Sequence, residues 1–318
     1  MHASTSAHPA ADPRDVEGFH ASTVVTDDGV RLCVYERPAP EPDAPTLFLV
    51  NGLGGNLITW RHQIARLGPH YRIVTWDYRG LYASALTPAQ KSAKVALDVP
   101  RHARDAIAIL DHFEVERAVF VGWSMGVQLN FELAQRVPER IIGMIQIAGS
   151  FGRSLSTTWF GKPGERFILP AMGIFKHVVA NGGRLIDRAI ESGLLIGAAR
   201  RLGVVAPSID VGLTRELVAA YVHLDFDVYN KILGTLGDHD AEAALPTLRV
   251  PVLILAGDRD PMTPAWLSKR MAAEIPDAEL VIVAGGSHYV PIEFPERVNA
   301  VLTDWLHRKL GHDLGSGQ

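Results

Sequence analysis

The sequence predicts an α/β fold: a mostly parallel central sheet flanked by helices, opened by an antiparallel hairpin and interrupted by an inserted helical cap. Three observations predict it. Short apolar runs recur at residues 46–50, 72–76, 118–121, 141–147, 252–256 and 280–283, and runs of that length suit strands buried on both sheet faces. Segments of helical periodicity alternate with them, as the crossovers between parallel strands require. Between residues 152 and 245 the alternation stops, and only helical periodicity remains.

In order along the chain, residues 23–26 and 30–36 are β-branched segments around Asp27-Asp28-Gly29, a hairpin signal. The run 46–50 is the first fully buried strand, and the helix 57–67 leads from it to the strand 72–76. The helix 98–113, the strand 118–121, the helix 125–136 and the strand 141–147 follow. In the inserted stretch, Phe167, Ala171, Ile174, Phe175 and Val178 share one helical face. Ile186, Ile190 and Leu194 share another, and residues 215–234 read as one further helix. The strand 252–256, the helix 265–275, the strand 280–283 and the helix 295–310 complete the alternation. The expected division is a core of residues 19–151 and 245–311, a cap of residues 152–244, a disordered tail at 1–18 and a flexible one at 312–318. Insertions at the carboxyl edge of such a sheet commonly cover a ligand site, which is why the helical stretch reads as a lid.

Composition narrows the function. The 318 residues carry 31 Lys and Arg against 35 Asp and Glu, a net charge of −4, without the basic surplus of a nucleic-acid binder. Cys33 is the single cysteine, so no internal disulfide forms, and no Cys/His spacing marks a zinc site. The longest apolar runs, such as residues 193–199, are far too short to span a bilayer as a helix. Residues 1–18 lack the apolar stretch of a secretory signal, which sets the expectation of a cytoplasmic protein, either monomer or homodimer.

Gly122-Trp123-Ser124-Met125-Gly126 fits G-x-S-x-G. The pattern alone is weak, but its setting is specific. It directly follows the strand 118–121 and directly precedes a helix carrying Val127, Leu129, Phe131 and Leu133. A serine on that turn stands out of the sheet edge on a strained backbone, with a helix N-terminus behind it that favours developing negative charge. The competing reading is a serine that merely caps the helix.

This arrangement resembles the α/β-hydrolase superfamily, in its serine-nucleophile branch with a helical cap, over residues 19–310. The resemblance implies an acid after the strand that follows the cap and a histidine after the last strand. Those places hold Gly257-Asp258-Arg259-Asp260-Pro261 and Gly285-Gly286-Ser287-His288. Asp258 and Asp260 compete as the acid. The family pattern favours Asp260 and leaves Asp258 to shape the turn. A serine hydroxyl needs a base within hydrogen-bond reach, so the resemblance assigns Ser124 as nucleophile, His288 as base and Asp260 as the group that orients it. Residues 293–299 (EFPERVN) resemble the start of the family's final helix.

The same resemblance implies an oxyanion hole made by the backbone N–H groups of Met125 and Leu53, the latter in Asn51-Gly52-Leu53-Gly54-Gly55. Most relatives have His where this chain has Asn51. A second departure is Asp77-Tyr78-Arg79-Gly80-Leu81-Tyr82-Ala83-Ser84, which resembles D-x-R-G-x-G-x-S with Leu81 and Tyr82 replacing His and Gly. There Asp77, Arg79 and Ser84 are expected to stabilise the loop, while Tyr82 packs or approaches the pocket. Trp123, Asn51 and Tyr289 are the expected substrate-contacting residues.

Serine at the elbow favours acyl chemistry over the alkyl-enzyme esters that relatives with Asp form. The expected substrate is a largely apolar small-molecule ester or related acyl compound, because Phe167, Ile168, Met172, Phe175, Leu194 and Leu195 supply apolar surface on the cap. A C–C bond hydrolase, a cofactor-free perhydrolase and a hydrolase-fold ligand receptor with little turnover are the alternatives. No cofactor is expected, since residues 51–55 lack both G-x-G-x-x-G and the P-loop Lys. No metal is expected either: His223, Asp225, Asp227 and Asp238-His239-Asp240 read as solvated helix surface rather than a ligand set.

Overall fold

Alternate residues of each apolar run point to opposite sides of one sheet, which explains why the runs are continuous. In the computed structural model Phe48, Val50, Phe120 and Ile254 enter one buried cluster, while Leu47, Leu49, Val119, Val121, Leu253 and Leu255 enter another on the opposite face. The structure describes residues 18–157 and 188–311, with 170, 173, 174, 176, 177, 181 and 186 between them.

The strands are β1 (His20–Val25), β2 (Arg31–Arg37), β3 (Thr46–Val50), β4 (Arg72–Trp76), β5 (Ala118–Trp123), β6 (Ile141–Ile147), β7 (Val252–Gly257) and β8 (Ala278–Val283). They form one eight-stranded sheet in the order β1-β2-β4-β3-β5-β6-β7-β8. β2 runs antiparallel to β1 and to β4, and the remaining pairs are parallel. The opening hairpin turns at Gly29, whose φ of +76° suits a residue without Cβ.

Helices cover both faces. α1 (Arg61–Leu67) follows a 3₁₀ turn, Leu57–Trp60, that Asn56 caps, so the segment expected as one helix from residue 57 opens more tightly wound. α2 (Pro88–Ser92) is short. α3 (Val99–His112) starts where the Asp98 carboxylate accepts from the Arg101 N–H, with Pro100 in the first turn. α3 and α4 (Met125–Arg136) seal the Phe48 face. α1 and the final helix contribute Ile64, Leu67, Val298, Leu302, Trp305 and Leu306 to the other.

Between β6 and β7 the described residues hold helices but no strand of the sheet: α5 (Ser154–Thr157), α6 (Leu194–Arg201), α7 (Val211–Tyr221) and α8 (Phe226–Asp238). The single helix expected over residues 215–234 is two helices. The chain breaks after Tyr221 because the Asp225 carboxylate accepts from the N–H groups of Asp227 and Val228 and starts a new helix there. One further expectation changes. Leu194 and Leu195 are 68% and 42% exposed and face solvent, while Phe167, Ile168, Met172, Phe175, Ala171 and Val178 lie outside the described residues.

This helical segment seats on the core through Ile196, Val205, Ile209 and Leu213 packed with Ile58 and Ile292. Ion pairs Arg61–Glu216, His62–Asp210 and Lys91–Asp225 rim the contact. After β7 come α9 (Ala265–Glu274), then β8, α10 (Val290–Glu293) and α11 (Pro295–Leu310), which ends at Gly311. No helix among the described residues is long and apolar enough to cross a membrane.

Candidate active site

The strand order places one point where the chain reverses its direction of travel across the sheet. From β3 it moves to β4 on one side, and the next parallel strand, β5, lies on the other side of β3. The carboxyl ends of β3 and β5 are therefore adjacent, at the position where ligands bind in open α/β sheets. The loop of residues 51–55 leaves β3 there and Ser124 leaves β5.

Ser124 sits at φ 56° and ψ −113°, outside the helical and extended regions, and α4 begins at the next residue. The glycines around it are sterically obligatory. A Cβ at position 126 would lie 2.1 Å from the Val50 carbonyl oxygen, and one at position 122 would lie 2.7 Å from the Gly126 carbonyl. A Cβ at Gly52 would meet Trp123 at 2.8 Å and the Ser124 Cβ at 3.2 Å, so the loop after β3 lies directly against the serine.

The three residues assigned from the sequence come together. His288 Nε2 is 2.8 Å from Ser124 Oγ, and His288 Nδ1 is 2.9 Å from Asp260 Oδ2. Asp260 and His288 are both buried, whereas Ser124 is partly accessible. Asp260 Oδ1 accepts from the N–H groups of Met262 and Thr263 at 2.8 and 2.9 Å, and its Oδ2 accepts from the Thr263 hydroxyl at 2.7 Å. Burial alone would raise the Asp260 pKa. The neighbouring His288 and the bonds from Thr263 outweigh it and hold the carboxyl below its usual range. Asp258 is turned elsewhere and accepts from the Gly285 N–H at 2.7 Å. Trp123 donates from Nε1 to the His288 carbonyl at 3.0 Å and so fixes the histidine's backbone.

Met125 opens α4 and is buried, and Leu53 is partly buried in the loop after β3. Each turn of that loop is tied. The Asn51 carbonyl accepts from the Tyr78 hydroxyl at 2.6 Å, the Gly52 carbonyl from the Gly55 N–H at 2.9 Å, and the Gly54 carbonyl from the Tyr82 hydroxyl at 2.5 Å. Asn51 itself does not fit its expected role in touching substrate. It is 1% exposed, its amide donates to the Trp76 carbonyl at 2.7 Å, and its Oδ1 accepts from Trp60 Nε1 at 2.7 Å. The side chain anchors the loop to β4 and the turn before α1.

Tyr289 stands beside the site, with its ring 5.9 Å from Trp123 and 5.8 Å from His288. Burial, then Tyr229, Asp260 and Glu293, push its phenol up to about 12, so it is a hydrogen-bond donor at neutral pH. Sequence reasoning missed two aromatics from α7 and α8. Tyr221 and Tyr229 pack edge-to-face 5.4 Å apart, and a Cβ at Gly54 would meet them at 2.8 and 3.2 Å. No sequence pattern marks them, because only the folded helical segment brings them to the loop. Sequence reasoning also missed Thr263, whose signal is its position three residues after Asp260 in the same turn.

The loop after β4 has a different function from the site beside it. Arg79 is fully buried between Asp105 and Asp28, with Arg101 alongside, so it ties the opening hairpin to α3. Ser84 Oγ donates to the Asp77 carbonyl and accepts from the Cys33 N–H. Of the residues weighed as metal ligands, Asp225 pairs with Lys91, Asp227 with Lys176, Asp240 with Arg153 and His239 with Glu132.

Comparison with known proteins agrees with this architecture. The alpha/beta hydrolase family matches residues 47–301, and the chain belongs to that family. A relative named "Putative carbamate hydrolase RutD" from Caulobacter sp. (strain K31) is 29% identical over 293 residues, covering 88% of this chain and 97% of its own. Among solved structures, a hydrolase from Pseudomonas aeruginosa PA01 superposes with a TM-score of 0.69 at 25% identity, covering 90% of this chain and 98% of that one. A thermophilic esterase from Thermogutta terrifontis shares the fold at a TM-score of 0.69 and 20% identity, covering 92% of this chain and 100% of its own.

Proposed function

We propose that this alpha/beta hydrolase is a serine hydrolase that cleaves a carboxylic ester, or a related acyl bond, of a largely apolar small molecule. The observation that carries the reading is the row Ser124–His288–Asp260, joined at 2.8 and 2.9 Å at the carboxyl edge of the sheet. With Nδ1 protonated towards Asp260, Nε2 accepts the Ser124 proton as Oγ attacks the carbonyl. The Asp260 carboxylate stabilises the imidazolium, which then protonates the leaving alcohol. Water, activated by the same nitrogen, releases the acid from the acyl-enzyme.

Charge that develops on the carbonyl oxygen falls to the N–H groups of Leu53 and Met125 in this reading. Their value depends on being held in place before the reaction. Tyr82→Phe removes the hydroxyl that holds the Gly54 carbonyl and leaves the ring. We expect kcat to fall about fivefold with KM little changed, the size of one neutral hydrogen bond. Steady-state kinetics on the purified variant measure it, and an unchanged kcat would mean the tie at Gly54 does not matter to the donor loop.

The inserted segment, residues 152–244, with its helices α5 to α8, serves as the cap over this site. Tyr221, Tyr229 and Tyr289, with Trp123, give it an aromatic wall, which supports an apolar or aromatic acyl group over a sugar or peptide. A panel of p-nitrophenyl esters of increasing acyl length tests this, with a phenyl carbamate added because of the name that the RutD relative carries. The expected result is a rise in kcat/KM of up to about fourfold per buried methylene. Preference for the shortest, most polar member would contradict the apolar assignment.

A further inference from the structure

We infer that Glu293 is a positioning residue that couples the seating of the cap to the placement of His288, an inference that rests on the serine-hydrolase reading above. Glu293 ends α10 and is 2% exposed. Its Oε2 accepts from the Ser287 N–H at 2.7 Å. Its Oε1 accepts both the Ser287 hydroxyl, at 2.5 Å, and the N–H of Ala206, at 2.6 Å. Ser287 immediately precedes His288, whereas Ala206 belongs to the cap, between α6 and α7.

The three donors make this arrangement specific to a carboxylate. A buried charge is costly unless its lone pairs are occupied, and here N–H and O–H groups from two separate parts of the chain occupy them. The histidine is held on both sides through this one group. Ser287 N–H binds Glu293 directly, and Tyr289 N–H donates to the Ser287 hydroxyl oxygen at 3.3 Å. The cap side is equally fixed. Val205 and Ile292, the neighbours of Ala206 and Glu293, both lie in the apolar cluster that seats the cap, and the Asp210 N–H reaches the Ile292 carbonyl at 3.4 Å. Lifting the cap takes the Ala206 donor away from the same oxygen that holds the Ser287 hydroxyl. His288 is therefore held in place most firmly when the cap is down.

The other ties between cap and core provide the control. Arg61–Glu216 lies at the rim with both side chains about two-fifths exposed, and it touches neither the histidine turn nor Asp260. Glu293→Gln replaces one acceptor oxygen by a donor and leaves the shape unchanged, whereas Arg61→Ala removes an exposed rim pair too weak to unseat the cap and leaves the Ala206–Glu293 bond in place.

Hydrogen–deuterium exchange and steady-state kinetics on the full chain, as wild type, Glu293→Gln and Arg61→Ala, test the coupling. In Glu293→Gln, exchange should rise together at residues 204–210 and 286–290. The kcat on a p-nitrophenyl ester should fall by about tenfold or more while KM stays within about threefold, as loss of a bond to a charged acceptor implies. In Arg61→Ala, exchange at 286–290 should stay at the wild-type rate, with kcat within about twofold. Should Glu293→Gln fail to fold, Ser287→Ala removes the hydroxyl's bonds to Glu293 and from the Tyr289 N–H but keeps the Ser287 N–H bond, and the same shift at 286–290 is expected at a smaller size. Exchange that rises at 204–210 alone, or a kcat equal to wild type, would overturn the coupling. A wild-type chain that turns over no ester would overturn the serine-hydrolase reading instead, and the exchange data would still decide whether cap and histidine turn move together.

Discussion

Ser124→Ala is expected to lower kcat on a carboxylic ester by on the order of 10⁶-fold with the fold intact. The hydroxyl's partner is His288 Nε2, so its removal breaks one bond at a partly accessible position and opens no cavity in the sheet. The backbone at Ser124, with φ 56°, is as strained for alanine as for serine. Glycine relieves that strain. Ser124→Gly should therefore be equally inactive yet more stable than Ser124→Ala by about 1 kcal/mol, read as a higher denaturation midpoint. A kcat within a hundredfold of wild type in either variant would mean that another nucleophile is at work.

Asp260→Asn should cost about 10⁴-fold in kcat, and near neutral pH it should also be less stable than wild type, because the carboxylate's contribution is full there. The argument comes from the hydrogen bonds. The N–H groups of Met262 and Thr263 require an acceptor at Oδ1, so asparagine must turn its oxygen towards them and its amide towards His288. An amide donor facing Nδ1 holds the proton on Nε2, the nitrogen that must accept from Ser124. The histidine stays in place in the wrong tautomer.

The pH dependence has a definite sign. Asp260 is held below the usual carboxylate range in the folded protein, so it adds stability above its unfolded pKa. That contribution is lost as pH falls through the folded value. Asp260→Asn lacks this component, and its stability should fall less than the wild type's on acidification below pH 4. Urea midpoints at pH 7 and at pH 3 measure the difference. A parallel fall in both proteins would mean Asp260 is not held charged by His288 and Thr263.

What the sequence revealed follows from the range of the interactions involved. Strands β3 to β7 were legible because each run buries both faces, β1 and β2 because of the turn at Asp27-Asp28-Gly29, and the elbow because glycine at 122 and 126 is forced by contacts of 2.7 and 2.1 Å. The assignment of Ser124, Asp260 and His288 followed from the resemblance, which implies an acid and a histidine on the turns after particular strands. Residues whose roles depend on distant partners were not legible. Asn51 reads as a site residue by its place in a loop, and only the bonds to Trp60 and Trp76 reveal it as an anchor. Glu293 looked like the start of a helix, since Ala206 and Ser287 reach it from separate turns. Leu194 and Leu195 look like lining residues by hydrophobicity, but the helix turns them to solvent. The break at Asp225 was a capping signal hidden inside continuous helical periodicity.

The central claim is that Ser124 is the activated nucleophile. Treatment of the purified chain with a fluorophosphonate, followed by intact mass and peptide mapping, tests it most directly. A single phosphonyl adduct on the peptide carrying Ser124, absent from Ser124→Ala and much slower to form in Asp260→Asn, is the expected result. No adduct, or an adduct that forms equally in Ser124→Ala, would contradict it.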